Sequence, residues 1–313
     1  MLIVTGGAGF IGSNLVRRLN AQGSTDILVV DNLDRPEKVA NLADLRISDY
    51  LDKRDFRARL EGGRFDAKAE AVFHNGACSD TMERDGRYMM ENNFGDSKAL
   101  LHWCLGRRTP FVYASSAAVY GSSRNFTESP VNERPLNIYG YSKLAFDQHV
   151  RQVLPGVSSP VVGLRYFNVF GPREAHKGRM MSVLHQLLRQ LREEGECRLF
   201  EGCEGYGDGE QVRDFVFVGD IVSLNLHFGF GPFRAGIFNG GTGKARSFND
   251  IARTLIRHLG SGRVAYIPFP EELRGKYQNF TQADLSSLRG DGAYQASFME
   301  LEAGIAATLE ETG

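Results

Sequence analysis

The hydrophobic pattern changes period within the first twenty residues. Leu2-Ile3-Val4-Thr5 is an apolar, β-branched run, and Gly6-Gly7-Ala8-Gly9-Phe10-Ile11-Gly12 follows directly. From there Ile11, Leu15, Val16 and Leu19 recur at helical spacing. Strand, glycine turn and helix in that order predict the opening of a dinucleotide-binding βαβ unit. Each glycine has its own task. Gly6 takes the dihedrals of a tight turn, Gly9 lets backbone approach a pyrophosphate, and Gly12 lets the helix lie close on the strand. The spacing is G-x-x-G-x-x-G, and the helix N-terminus offers free N–H groups and a positive dipole end to phosphates.

Apolar runs at 27–30, 45–48, 69–73, 110–114 and 161–166 predict further strands, with long helical patterns over 83–105 and 139–153. Beyond Asn168 the alternation breaks down. A helix is predicted over 180–194, a glycine-rich loop over 202–209, a strand over 212–218 and a short helix capped by Asp220. A return to the sheet at 237–239 and amphipathic helices over 247–259 and 297–309 complete the chain, which has no internal repeat.

Several polar residues stand where these strands end. Asp31 lies 19 residues after Gly12, where an acidic residue usually meets the adenosine ribose. Arg35, Lys38 and Lys53 are near it; an Asp alone favours NAD, cations beside it favour the extra phosphate of NADP, and solvated surface is the plain alternative. Asp49 is placed near the adenine. Asn75, Gly76, Ala77, Cys78 and Ser79 form a small-residue segment able to hug a cofactor. Asn92, in the apolar midst of a helix, either caps a kink or holds backbone near the site.

Composition narrows the class without naming a reaction. A chain of 313 residues can bury a substantial core and form two domains. A net charge of -1 points away from nucleic acid or an anionic membrane as a bulk partner. Cys78, Cys104, Cys197 and Cys203 show no CxxC spacing and read as reduced thiols of a cytoplasmic protein. No apolar stretch reaches the length of a membrane span, and a strand at residue 2 leaves no room for a signal peptide. No metal site is expected.

Tyr139 and Lys143 are four apart on a predicted helix and share one face. A free phenol has a pKa of about 10, so acting as a base near pH 7 takes roughly 4 kcal/mol. A lysine ammonium and a cationic nicotinamide ring close by would supply it by favouring the phenolate. Ser116, at the end of a neighbouring strand, would hydrogen-bond the same substrate oxygen, so the three would deprotonate an alcohol as its carbon loses hydride.

GGAGFIG, ASSAAVYG, YGYSK and RYFNVFGPR resemble the extended short-chain dehydrogenase/reductase family in its sugar-nucleotide branch, over nearly the whole chain. The resemblance implies a Rossmann-type doubly wound parallel sheet with a smaller C-terminal α/β substrate domain. Residues 1–166 would bind the dinucleotide, strands near 212–240 would rejoin that domain, and 167–313 would mainly bind substrate. Ala117 and Ala118 stand where the 4,6-dehydratases carry Asp-Glu, which argues against elimination of water. FHNGACSD, YMMENN, His176-Lys177-Gly178, RDFVFVGD and GKYQNFTQADL are similar to the ADP-L-glycero-D-manno-heptose 6-epimerases. The alternatives are another NAD(P)-dependent sugar-nucleotide epimerase, such as a UDP-hexose 4-epimerase, and a dinucleotide sensor without turnover.

That similarity implies ADP-heptose as substrate, supply of heptose for lipopolysaccharide, tightly held NADP with NAD as the alternative, and a homopentamer. Tyr139 and Lys177 would be the two acid/base residues. Implied cofactor contacts are Phe10, Ile11, Asp31, Asn32, Lys38, Lys53, Asn75 to Ser79, Asn92, Lys143 and Val169. Implied substrate contacts are Ser116, Asn168, Lys177, Arg179, Phe200, Glu201, Gly202, Cys203, Arg213 and Tyr277, with Gln186 or His185 at a position usually held by His. Asn75 replaces a usual Glu, Cys203 a common Ser, and the 204–212 loop is longer than in some relatives. Inversion at C6 through a planar ketone requires acid/base groups on both sides, and Lys177 as a base would need desolvation or a cationic neighbour.

Overall fold

The structure, a computed structural model, describes residues 1–271 and 277–312. Strands β1 (Leu2–Thr5), β2 (Ile27–Asp31), β3 (Asp49–Asp52), β4 (Ala71–His74), β5 (Phe111–Ser116) and β6 (Val161–Tyr166) lie parallel. Between them run α1 (Phe10–Ala21), α2 (Lys53–Glu61), α3 (Gly86–Met90), α4 (Asp96–Arg107) and α5 (Ile138–Val153). Then follow β7 (Asn168–Phe170), α6 (Val183–Glu194), β8 (Glu196–Phe200), β9 (Val212–Phe217), α7 (Val218–Phe230) and β10 (Ala235–Gly240). The chain ends with β11 (Ala245–Ser247), α8 (Phe248–Leu259), β12 (Arg263–Ile267), α9 (Ser286–Arg289) and α10 (Leu301–Thr312).

The main sheet has the order β10-β6-β5-β4-β1-β2-β3 and is doubly wound. Period-2 alternation divides its side chains between two cores. Leu2 and Val4 of β1 pack with Leu15, Val16 and Leu19 of α1 and Ile221, Leu224 and Phe228 of α7. Ile3 points the other way, toward Phe56, Leu100, Leu101, Phe146 and Val150. Each such burial contributes about 1.5–3 kcal/mol. β9 lies in a three-stranded sheet with β11 and β7, β12 pairs with β8, and β10 runs parallel to β6 at the edge of the main sheet. Leu184, Leu187, Leu188 and Leu191 of α6 form the smaller core with Phe215, Ile251, Leu255 and Ile305.

Several expected elements move. The third strand is Asp49–Asp52 rather than 45–48. It pairs only with β2 and buries only Leu51, so its acidic D-Y-L-D carries little strand signal. Asp49 therefore begins an edge strand, exposed and at the end of the sheet away from the carboxyl edge, so the adenine placement fails. The 83–105 pattern is interrupted by a π turn, Glu91–Gly95. Asp220 lies inside the first turn of α7, a helix of 13 residues that begins after Phe217; its carboxylate accepts from the Met299 amide at 2.9 Å. The helix expected from residue 180 begins at Val183, and the last begins at Leu301.

Candidate active site

The sheet reverses direction at β1: the chain steps outward through β2 and β3, then returns to β4 on β1's other side. Ligands of open α/β sheets sit at the carboxyl ends beside such a reversal. A cavity of about 750 Å³ lies there, lined by Gly6, Gly9, Phe10, Ile11 and Gly12 of the first turn and by Asp31, Asn32, Lys38, Lys53, Asn75, Gly76, Ala77, Cys78, Ser79, Asn92, Lys143 and Val169. The cofactor contacts implied by the resemblance are thus brought together, and Asp49 is not among the lining residues. Gly6 has φ +67, and a Cβ there would meet Asn75 and Gly76 backbone at 2.7–2.9 Å. A Cβ on Gly12 would collide with the Gly6 carbonyl oxygen. Asp31 Oδ2 accepts from the Ala8 amide at 2.8 Å, clamping the glycine turn to the end of β2. The open turn, the start of a 12-residue helix and the flanking lysines suit a dinucleotide's phosphates.

Asn137 caps α5 by accepting from the Gly140 amide at 2.8 Å, which starts the helix so that Tyr139 and Lys143 face the cavity. A Cβ on Gly140 would meet the Ala118 carbonyl at 2.7 Å, so α5 lies directly on the turn after Ser116. Ser116 Oγ accepts from the Ala118 amide at 3.1 Å and lies close enough to the Tyr139 phenol to favour its ionised form. Lys143 Nζ donates to the Ala114 carbonyl at 2.8 Å. Burial raises the Tyr139 pKa, opposed by Ser116. Burial also pushes Lys143 down to about 8. Burial works against the charged form of both groups, so the phenol is pushed up, while Lys143, though lowered, stays mainly protonated at pH 7.

Lys38 Nζ is held by Asp31 Oδ1 at 2.7 Å, Asn32 Oδ1 at 2.7 Å and the Asn32 carbonyl at 3.0 Å. Lys53 Nζ donates to Asn92 Oδ1 at 2.8 Å. Asn92 thus serves the cavity from the π turn, while its neighbour Asn93 holds backbone, bonding the Cys78 amide and carbonyl at 2.8 and 2.9 Å and Ser142 Oγ at 3.0 Å. π turns often mark functional sites, because the extra residue re-aims side chains.

Lys177 reaches the same cavity from the segment after β7. Its Nζ lies 2.8 Å from Glu174 Oε2 and 4.9 Å from the centre of the Phe10 ring. Of the two conditions expected for a Lys177 base, desolvation or a cationic neighbour, these contacts do not supply the second: they are a carboxylate and an aromatic face. The segment is tied to the first lobe by Arg35 to the His176 carbonyl (3.0 Å), by Asn41 to His176 Nδ1 (3.1 Å) and by Arg179 to Asp80 (2.8 Å).

Ser116, Asn168 and Lys177 all line the cavity, whereas the other expected substrate residues stand beyond it. Arg179 is bound to Asp80, and Gln186 braces the same segment through the Met181 carbonyl at 2.8 Å. His185 Nε2 meets the Gly171 carbonyl at 2.6 Å. Arg213, 6 % exposed, is stacked 4.8 Å from the Tyr277 ring and 5.6 Å from that of Phe248. No carboxylate pairs with it among the described residues, and burial lowers its pKa. Tyr277 stands 6.4 Å from the Phe200 ring, Glu201 is exposed, Gly202 N donates to Asp208 at 2.8 Å, and Cys203 Sγ lies 3.5 Å from Asn279 Oδ1. Gly275 and Lys276 of the GKYQNFTQADL stretch lie outside the described residues.

With that geometry in place, residues 2–229 match the NAD dependent epimerase/dehydratase family. The chain belongs to the NAD-dependent epimerase/dehydratase family. Within this family it is 60% identical over 305 residues to an ADP-L-glycero-D-manno-heptose-6-epimerase of Alkalilimnicola ehrlichii, covering 97% of this chain and 95% of that one. It is similar to the crystal structure of the Helicobacter pylori ADP-L-glycero-D-manno-heptose-6-epimerase, with a TM-score of 0.85, 31% identity, and 99% and 94% of the two chains covered. A UDP-N-acetylglucosamine 4-epimerase from Methanobrevibacter ruminantium shares the fold at a TM-score of 0.83 and 25% identity, covering 99% and 97%. Among the described residues no helix is long and apolar enough to cross a membrane.

Sequence reasoning missed Glu174, Asn93 and Asp80. Asn93 closes YMMENN, Asp80 closes FHNGACSD and Glu174 directly follows RYFNVFGPR, but the role of each depends on a partner that only the fold or a turn brings to it.

Proposed function

We propose that this epimerase interconverts ADP-D-glycero- and ADP-L-glycero-β-D-manno-heptose at C6. The observation that carries the reading is that Tyr139 with Ser116 and Lys177 enter one cavity from two different segments. A nicotinamide cofactor, which the glycine turn, Asp31, Lys38 and Lys143 would hold, would supply the hydride exchange at C6. Tyr139, oriented by Ser116, moves the proton of the C6 hydroxyl in one sugar orientation, and Lys177 does so in the other. Residues 1–166 serve mainly the cofactor and 167–313 mainly the sugar nucleotide. Arg213, buried, stacked and without a carboxylate among the described residues, suits the diphosphate. Lys38 and Lys53 favour NADP over NAD. The assembly proposed is a cytoplasmic homopentamer, which rests on the family resemblance alone and which sedimentation tests.

Incubation with ADP-D-glycero-D-manno-heptose should give both C6 epimers, resolved by chromatography, while UDP-galactose stays unchanged. Conversion of UDP-galactose alone would replace this reading with a hexose 4-epimerase. Tyr139→Phe and Lys177→Met should each lower epimerisation by about 10²–10⁴-fold with cofactor retained. Full turnover by Lys177→Met would leave Tyr139 as the sole acid/base.

A further inference from the structure

The segment carrying Lys177 is built around a carboxylate that no solvent reaches. β7 ends at Phe170, and a Cβ on Gly171 would collide with Val218 Cγ1, so the chain can turn there only without a side chain. Asn14 of α1 fixes the Pro172 carbonyl at 3.0 Å. Arg173 then adopts φ +75, a conformation L residues avoid, and is held in it from outside: its guanidinium donates to the Asn41 carbonyl at 2.8 Å and pairs with Asp44. This turn sends Arg173 outward and Glu174 inward, where Glu174 is 0 % exposed.

A carboxylate buried that deeply is costly unless its oxygens are matched. Glu174 Oε1 accepts from the Gly171 amide at 3.3 Å. Oε2 accepts from the Ser182 amide at 2.7 Å and from Lys177 Nζ at 2.8 Å. His185 Nε2 stands 3.8 Å from Oε1, with its short contact to the Gly171 carbonyl. The carboxylate therefore joins the two ends of the segment, residues 171 and 182, and holds the lysine between them. Toward the cavity Lys177 Nζ faces the Phe10 ring beside the glycine turn. A flexible four-carbon side chain has been given a fixed end point.

We infer that Glu174 is a positioning residue for the epimerisation, fixing Lys177 Nζ where the sugar oxygen arrives. This rests on the reading of Lys177 as the second acid/base. A misplaced reacting group costs up to about 10²-fold in rate with little effect on binding.

The test compares Glu174→Gln, Glu174→Asp and Lys177→Met in the NADP-loaded enzyme with ADP-D-glycero-D-manno-heptose. Glu174→Gln keeps the shape and loses the charge. Its kcat should fall roughly 10–100-fold while KM and cofactor content stay within about twofold. Glu174→Asp restores the charge one methylene short and should recover part of the lost kcat. Wild-type kcat in Glu174→Gln, or a loss confined to melting temperature or cofactor content, overturns the inference. Should the Gln variant not fold, Glu174→Asp decides: a reduced kcat at unchanged KM supports the positioning role, and wild-type kcat overturns it. Full activity of Lys177→Met would instead remove the reading of Lys177 itself.

Discussion

Arg213 presents its guanidinium between two aromatic rings, with one of its nitrogens bonded to its own neighbour's carbonyl, Val212 O, at 2.9 Å. Arg213→Lys keeps the charge and loses both the planar fork and the stacking. The apparent affinity for ADP-heptose should fall about 10–100-fold, as expected for one charge-assisted contact of about 1.5–3 kcal/mol, with NADP content unchanged. Isothermal titration of the NADP-loaded variant measures it; unchanged affinity would make Arg213 a structural residue. At this scale the sequence was most legible where the chemistry is written locally. Tyr139 and Lys143 share a face because they are four apart, and the glycine turn is contiguous. It was least legible where a role depends on a partner supplied by folding. Asn92 and Asn93 are adjacent and alike in type, and only the π turn decides that one holds Lys53 and the other the backbone of Cys78.

Among the elements, α6 shows how a simple pattern secures a complicated lobe. Leu184, Leu187, Leu188 and Leu191 recur at three- and four-residue intervals and all are buried, against the nearby strands β8 and β9 and the distant helices α8 and α10. Leu188→Ala should cost about 2–5 kcal/mol in urea unfolding. A cost below about 1 kcal/mol would mean that this core collapses around the deletion. Periodicity found α6 and α8 because their apolar stripes are complete. It misplaced β3 because an edge strand with one buried residue has almost no stripe, and it ran α3 into α4 because an added residue in a π turn leaves both flanking patterns intact.

For the molecule as a whole, buried polar groups set the acid limit. His74, bonded to Thr5 Oγ1 at 2.7 Å and Ser97 Oγ at 2.8 Å, is pushed by burial down to about 3. Its folded pKa lies below the unfolded value of about 6.5, so its neutral form is matched to the fold above that pH. Below it the unfolded chain binds a proton that the folded one refuses, and stability falls by about 1.4 kcal/mol per pH unit on this account until the folded pKa is reached. Unfolding free energies of wild type and His74→Gln between pH 7 and 4 should diverge in slope by about that amount. Parallel slopes would show that His74 does not set the limit. The parallel sheet at this scale was readable from the βαβ alternation. The partner of β9 was not, because apolar strands of similar length suit either sheet, and the choice is made by the register with β7 and β11.

The re-entry of the chain has a genetic consequence. α7 covers β1's first core with Ile221, Leu224 and Phe228, and β10 closes the edge at β6, although both follow the first segments of the smaller lobe, α6, β8 and β9. A stop codon soon after residue 166 would not leave half an enzyme that still captures its dinucleotide. It would leave a sheet with one face stripped and one edge open, and such a fragment should be recovered from inclusion bodies rather than from the soluble fraction. The two lobes are therefore encoded as one indivisible reading frame, since neither end of the gene specifies a closed sheet by itself.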